Sequence, residues 1–111
     1  MYNKRTKKEV TNCFMLRTVW SRSIPYWEAM HRQKLGPDQY TCQGCNKVYR
    51  LRDVQCDHIV PCVDVKKGWE GLAEFAKRLF VDSSGLQVLC KDVCHATKTK
   101  DENKERKVNG G

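Results

Sequence analysis

The spacing of apolar and polar positions divides the chain into short elements. From Ser23 to Lys34, the residues Ile24, Trp27, Met30 and His31 recur at helical spacing. Ser23 offers a side-chain oxygen as N-cap, and Pro25 falls in the first turn, where a missing N–H is harmless. Gly36-Pro37 then stops the helix. His31 has no partner motif nearby and reads as a packing or surface residue. Val48-Tyr49-Arg50-Leu51 and the run from Val54 to Val60 are rich in β-branched residues and read as extended, the second ending at Pro61. Trp69 to Phe80 predicts an amphipathic helix with Trp69, Leu72, Phe75, Ala76 and Leu79 on one face. Asp82-Ser83-Ser84-Gly85 predicts a turn. Leu86 to Cys90 predicts a strand with Leu86 and Val88 on one side, Gln87 and Leu89 on the other. Asp92 is the expected cap of a last helix running from about Val93 to Lys107.

These elements make one domain over residues 23–107. A basic arm over residues 1–22, with Lys4, Arg5, Lys7 and Lys8 clustered, is expected to be partly disordered, and residues 108–111 to form a flexible tail. Trp20, Trp27, Trp69, Phe75 and Phe80 alternate with polar residues at helical spacing, which argues for core packing over a base-stacking platform. Cys13, Cys56 and Cys62 read as small core hydrophobes.

Charge changes the picture. A formal net charge of +8 on 111 residues favours a polyanionic partner, through release of counterions from nucleic acid or attraction to an acidic surface. No stretch is apolar for long enough to span a bilayer, and the segment after the charged N-terminus is too broken for a secretory signal. The expected location is therefore the cytoplasm.

Cysteine spacing adds chemistry. Seven cysteines, two pairs of them at metal-ligand spacing, point to thiolates on a metal in a reducing compartment. Cys42-x-x-Cys45 and Cys90-x-x-x-Cys94 supply four sulfurs, the set zinc takes in closed structural sites. Gly44 permits the sharp turn of such a knuckle. A competing set of Cys42, Cys45, Cys56 and His58 leaves Cys90 and Cys94 without a role.

Placed in order, the motifs are Cys42-x-x-Cys45, Cys56-Asp57-His58-Ile59-Val60-Pro61, Leu86-Gln87-Val88-Leu89-Cys90 and Cys94-His95-Ala96-Thr97-Lys98-Thr99. In this order, over roughly residues 40–106, the chain resembles the HNH endonucleases, in particular their small zinc-containing phage-type members. The resemblance implies an α+β fold with a treble-clef-like ββα-metal core, a structural zinc knuckle and flanking helices. It implies a metal-dependent DNA endonuclease that nicks or cuts with weak sequence preference and leaves 3′-hydroxyl and 5′-phosphate ends. Asp57 and His95 would bind one divalent cation (Mg²⁺, Mn²⁺, Ni²⁺ or Zn²⁺), and His58 would be the general base. A phage origin would place the protein in a bacterial host, beside the DNA-packaging terminase. A non-catalytic zinc module that binds nucleic acid is the alternative, and an assembly protein with a basic interaction surface the third reading.

Adjacent residues of a regular strand face opposite ways, so one of Asp57 and His58 is expected to be turned by a local irregularity or by a bend before Pro61 if they serve one site. Lys98 follows His95 by three residues on one helical face and is a candidate phosphate contact, with Lys47, Arg50 and Arg52 as further backbone contacts. Two features depart from the family pattern. Gly85, after Ser84, stands where an asparagine usually precedes the Leu-Gln pair, and three residues rather than two separate Cys90 from Cys94.

Overall fold

Thr6 and Glu9 start the first helix. The Thr6 hydroxyl accepts from the Glu9 N–H and the Glu9 carboxylate accepts from the Thr6 N–H, a reciprocal capping box. Helix α1 then runs Lys7–Trp20, in a computed structural model that describes residues 4–109. The arm expected over residues 1–22 is thus corrected to a packed helix, with residues 1–3 outside the described residues. Cys13 and Trp20 are buried on it, and α1 packs against α3 (Leu72–Leu79). Helix α2 spans Ile24–Arg32, and Ser23 caps it as expected.

Two strands not foreseen follow. β1 (Lys34–Gly36) and β2 (Gln39–Thr41) form a hairpin, and β3 (Val48–Tyr49) adds to β2, all antiparallel. Asp38 turns the hairpin in the left-handed region at φ 52°, and its carboxylate accepts from the Leu51 N–H at 2.8 Å. Leu51–Asp53 make a short 3₁₀ turn where extended chain is expected at Leu51. A second sheet pairs β4 (Val54–His58) with β5 (Leu86–Cys90), antiparallel and in unbroken register from Val54↔Cys90 to His58↔Leu86.

Four α-helices and two small sheets among the described residues make an α+β fold. The main core gathers Cys13, Trp20, Met30, Cys56, Cys62, Trp69, Phe75, Leu79, Leu86 and Val88. A second cluster, Cys42, Leu89 and Cys90, lies under the knuckle. The alternation along β5 explains the division: Leu86 and Val88 face the main core, Leu89 the knuckle.

Several apolar residues lie elsewhere than their spacing suggests. On α2, Ile24 and Trp27 are exposed, and the buried face carries Ala29 and Met30. Phe80 is exposed where the helix face ends, while Trp20, Trp69 and Phe75 are in the core. Helix α3 begins at Leu72 rather than Trp69 because Gly71, at φ 100°, breaks the chain direction before it. The last helix, α4 (Ala96–Asn109), takes in Val108 and Asn109 of the expected tail; residues 110–111 lie outside the described residues. Among the described residues, no helix is long and apolar enough to cross a membrane.

Candidate functional site

The knuckle is built from the backbone outward. Asn46, in the left-handed region at φ 61°, turns the chain after Cys45, and the Asn46 N–H closes the loop on the Cys42 carbonyl at 2.8 Å. Gln43 fastens this loop to β5: its N–H donates to the Val88 carbonyl, and its side-chain oxygen accepts from the Val88 N–H, both at 2.8 Å. Gly44 can only be glycine here, since a Cβ would stand 2.7 Å from Cys94 Sγ. The four sulfurs of Cys42, Cys45, Cys90 and Cys94 lie within 4.8 Å of one another. Tetrahedral zinc with bonds near 2.3 Å places its sulfurs about 3.8 Å apart, so the cluster can hold such an ion with small adjustments.

Backbone N–H groups aim at these sulfurs. Gly44 and Cys90 donate to Cys42 Sγ at 3.3 and 3.2 Å, and Cys94 donates to Cys90 Sγ at 3.3 Å. The Tyr49 hydroxyl lies 3.4 Å from Cys45 Sγ and holds that thiol below its ordinary range. Burial and the neighbouring sulfurs instead push Cys94 up. Four ionised sulfurs this close repel, and a bound cation removes the conflict. Cys56 and Cys62 stand apart: burial raises them to about 12 and about 11, as expected of inert core thiols.

The extra residue between Cys90 and Cys94 has a place. Cys90, not Asp92, caps the helix start, and Lys91–His95 form one π turn before α4. A π turn absorbs a single added residue within a helical run. His95 therefore reaches the face of β4 that carries Asp57. Its Nε2 lies 3.6 Å from Asp57 Oδ1 and 3.0 Å from the Gln55 amide nitrogen. With the amide donating, that ring nitrogen is unprotonated and its lone pair accepts from Gln55.

Asp57 receives three neighbours on this face. Gln87, its register partner on β5, donates to Oδ2 at 3.1 Å, and Lys98 Nζ lies 3.1 Å from the same oxygen. Lys98 also donates to Glu102 at 2.6 Å. Burial works against the Lys98 ammonium, but Glu102 and Asp57 together outweigh it and hold its pKa above the ordinary lysine range.

His58 faces the other way, with no irregularity in β4; the chain bends only after it, at Ile59-Val60. Of the two expected devices, an irregularity in the strand and a bend before Pro61, only the bend is present. His58 is buried, its ring 4.5 Å from the Trp20 ring. His58 Nε2 lies 2.8 Å from the Leu79 carbonyl oxygen, which only accepts, so Nε2 carries the proton and Nδ1 keeps the lone pair. Burial lowers the pKa of this imidazole, outweighing the pull of that carbonyl.

Although they point apart, Asp57, His58 and His95 border one cleft of about 570 Å³. His58 reaches it from the strand end, Asp57 from the strand face, and His95 from the helix start. Compared with known proteins, the chain matches no family model, no curated protein and no solved structure.

The loop at Gly85 is held without an asparagine. Arg32 donates to the Ser83 and Leu86 carbonyls at 3.2 and 3.3 Å, and the Ile59 N–H donates to the Gly85 carbonyl at 3.0 Å. A Cβ at Gly85 would stand 2.9 Å from Val81 Cγ2. Of the proposed phosphate contacts, Lys98 borders the cleft, whereas Lys47, Arg50 and Arg52 are exposed beyond its lining. Gln55, Arg17 and Arg106 line it instead. Gln55 was signalled by its place two residues before Asp57 on one strand; Arg32 and Leu79 carried no local signal.

Proposed function

We propose that the protein is a metal-dependent DNA endonuclease of the HNH, ββα-metal kind. The observation that carries this reading is the meeting of Asp57, His58 and His95 on the lining of one cleft, on the antiparallel β4–β5 pair followed by a sulfur-capped helix. Cys42, Cys45, Cys90 and Cys94 hold a structural zinc in this reading, and that zinc sets where the helix bearing His95 begins. Asp57 and His95 hold the second, divalent cation. Two such ligands on one ion stand roughly 3.0–3.6 Å apart at ordinary bond lengths, which their 3.6 Å separation meets. When bound, that cation supplies Lewis-acid neutralisation of charge on the phosphate.

The chain's own residues do the rest. His58 Nδ1 accepts a proton from a water attacking phosphorus, while Leu79 fixes the ring and takes up none of that lone pair. The P–O3′ bond breaks, and the 3′-oxygen takes a proton from solvent, leaving a 3′-hydroxyl and a 5′-phosphate. Gln87 orients Asp57, and the Gln55 amide gives up His95 Nε2 when the cation binds. Lys98 neutralises Asp57 and Glu102 and faces the phosphate path. Nothing in the cleft resembles a base-reading module, so weak sequence preference fits.

The test uses zinc-loaded protein, supercoiled plasmid, and Mg²⁺, Mn²⁺ or Ni²⁺. Wild type should relax or linearise the plasmid only with the cation added. His58→Ala should cut about 10²–10⁴-fold more slowly, the usual worth of a general base. Absence of cation-dependent cutting by wild type would sink the nuclease reading. Salt-sensitive binding without cutting would leave a nucleic-acid-binding zinc module, a reading favoured by the Lys98–Asp57 ion pair.

A further inference from the structure

The cations around the cleft are not equivalent. Lys98 is spent on Asp57 and Glu102, and Arg106 on the Val63 carbonyl at 2.9 Å and the Asn103 side chain at 3.4 Å. Arg17, on α1, has neither kind of partner: no carboxylate lies within 4.0 Å of it and no carbonyl accepts from its guanidinium among the described residues. It is nevertheless placed. Its guanidinium lies 5.4 Å from the ring of Phe75, a fully buried core residue on α3, and its side chain lines the cleft that His58 borders. A cation held by an aromatic face keeps its N–H fork free for a further acceptor.

We infer that Arg17 is a substrate-binding residue, its guanidinium taking the oxygens of a DNA backbone phosphate in the cleft beside His58. The inference rests on the nuclease reading for the identity of the anion. Arg5 extends the same wall, its guanidinium 5.8 Å from the Trp69 ring. The N-terminal helix thereby closes the cleft opposite α4 and supplies the phosphate contact that Lys47, Arg50 and Arg52 are too far around the surface to make.

Binding of a short fluorescent DNA duplex to zinc-loaded protein, without added divalent cation, tests this across a salt series. Arg17→Gln should weaken binding several-fold and reduce the slope of log affinity against log salt by about 0.9, the loss of one phosphate contact. Arg17→Lys should keep the slope and lose part of the affinity, because the charge stays and the fork goes. Arg22→Gln, the same charge change on an exposed residue outside the cleft lining, should leave the slope unchanged. Circular dichroism of each variant excludes misfolding, which would also move Arg17→Lys. Equal slopes for Arg17→Gln and Arg22→Gln would overturn the inference. If wild type binds through Arg17 but never cuts plasmid, the nuclease reading fails and this one stands; if it cuts and Arg17→Gln cuts equally well at limiting DNA, this one fails alone.

Discussion

Glu9 sits at the exposed start of α1, yet it ties two distant segments together. One carboxylate oxygen closes the capping box with Thr6, and the other accepts from the Trp69 indole N–H at 2.6 Å. The Thr6 N–H first, then the Trp69 indole, hold its carboxyl below the ordinary glutamate range. A depressed carboxyl pKa contributes stability above the unfolded value and loses it as pH falls through the folded value. Wild type should therefore melt at a higher temperature than Glu9→Gln at neutral pH, and the gap should close as the solution becomes acidic. A thermal melt series over pH checks this, and a gap that stays constant into strong acid would show that the charge of Glu9 is not what matters. The same scale shows how Gly85 is tolerated. Arg32 and two backbone bonds, from the Ile59 N–H to the Gly85 carbonyl and from the Gly85 N–H to the Asp82 carbonyl, tether the loop, and Val81 fills the space that a Cβ at Gly85 would need.

At the scale of elements, strands β4 and β5 and the knuckle were legible because short-range rules suffice for them: alternation gives the two faces of β5, and cysteine spacing gives the metal cluster. Helix α1 was not. Its apolar residues, Val10, Phe14, Met15 and Val19 among them, are spread around the helix and left exposed, so no stripe announces it. Only Thr6-x-x-Glu9 signalled its start, and it lay inside a run of charge. The orientation of His58 was beyond reach for another reason: its partner carbonyl, on Leu79, lies 21 residues away and is fixed by tertiary packing. Between Cys90 and His95 the spacing was legible but its consequence was not, because a π turn can absorb what would otherwise rotate the helix. That gives a prediction for the element. Deleting Val93, which is exposed, should turn the π turn into an ordinary α turn and keep His95 on the Asp57 side. Zinc content should be unchanged, and the unfolding free energy unchanged or raised by up to about 1 kcal/mol. Zinc loss on deletion, read from metal analysis and a urea melt, would show that the added residue is needed for the knuckle itself.

The described residues form two cores joined by the antiparallel β4–β5 pair. Leu86 and Val88 enter the main cluster, and Leu89 and Cys90, on the same strand, belong to the knuckle. The knuckle cluster is small, and zinc in comparable modules contributes roughly 10–16 kcal/mol of apparent binding energy, more than three side chains can replace. The main cluster does not lean on it in the same way. α1, α2 and α3 bring Trp20, Met30, Phe75 and Leu79 to one side of the β4–β5 pair, and Arg78 clamps the loop before α3 through Asp64, Glu70 and the Pro61 carbonyl while pairing with Glu74 on its own helix. Trp20 and Trp69 lie in that cluster, Trp27 is on the surface, and none of the three is in the knuckle cluster, so a shift in tryptophan emission reports on the main core and not on the knuckle. Stripping the metal with a strong chelator should therefore uncouple the two. The far-ultraviolet helix signal should fall by about the share of α4, whose start is held by Cys90 and Cys94, while the tryptophan emission stays at its native wavelength. Adding zinc back should restore the helix signal. Simultaneous loss of both signals at one chelator concentration would mean that the β4–β5 pair transmits the knuckle's stability to the whole chain. The cleft would then be formed only in zinc-bound protein, since Asp57 and His58 sit on β4, paired residue by residue with the strand that joins the two halves.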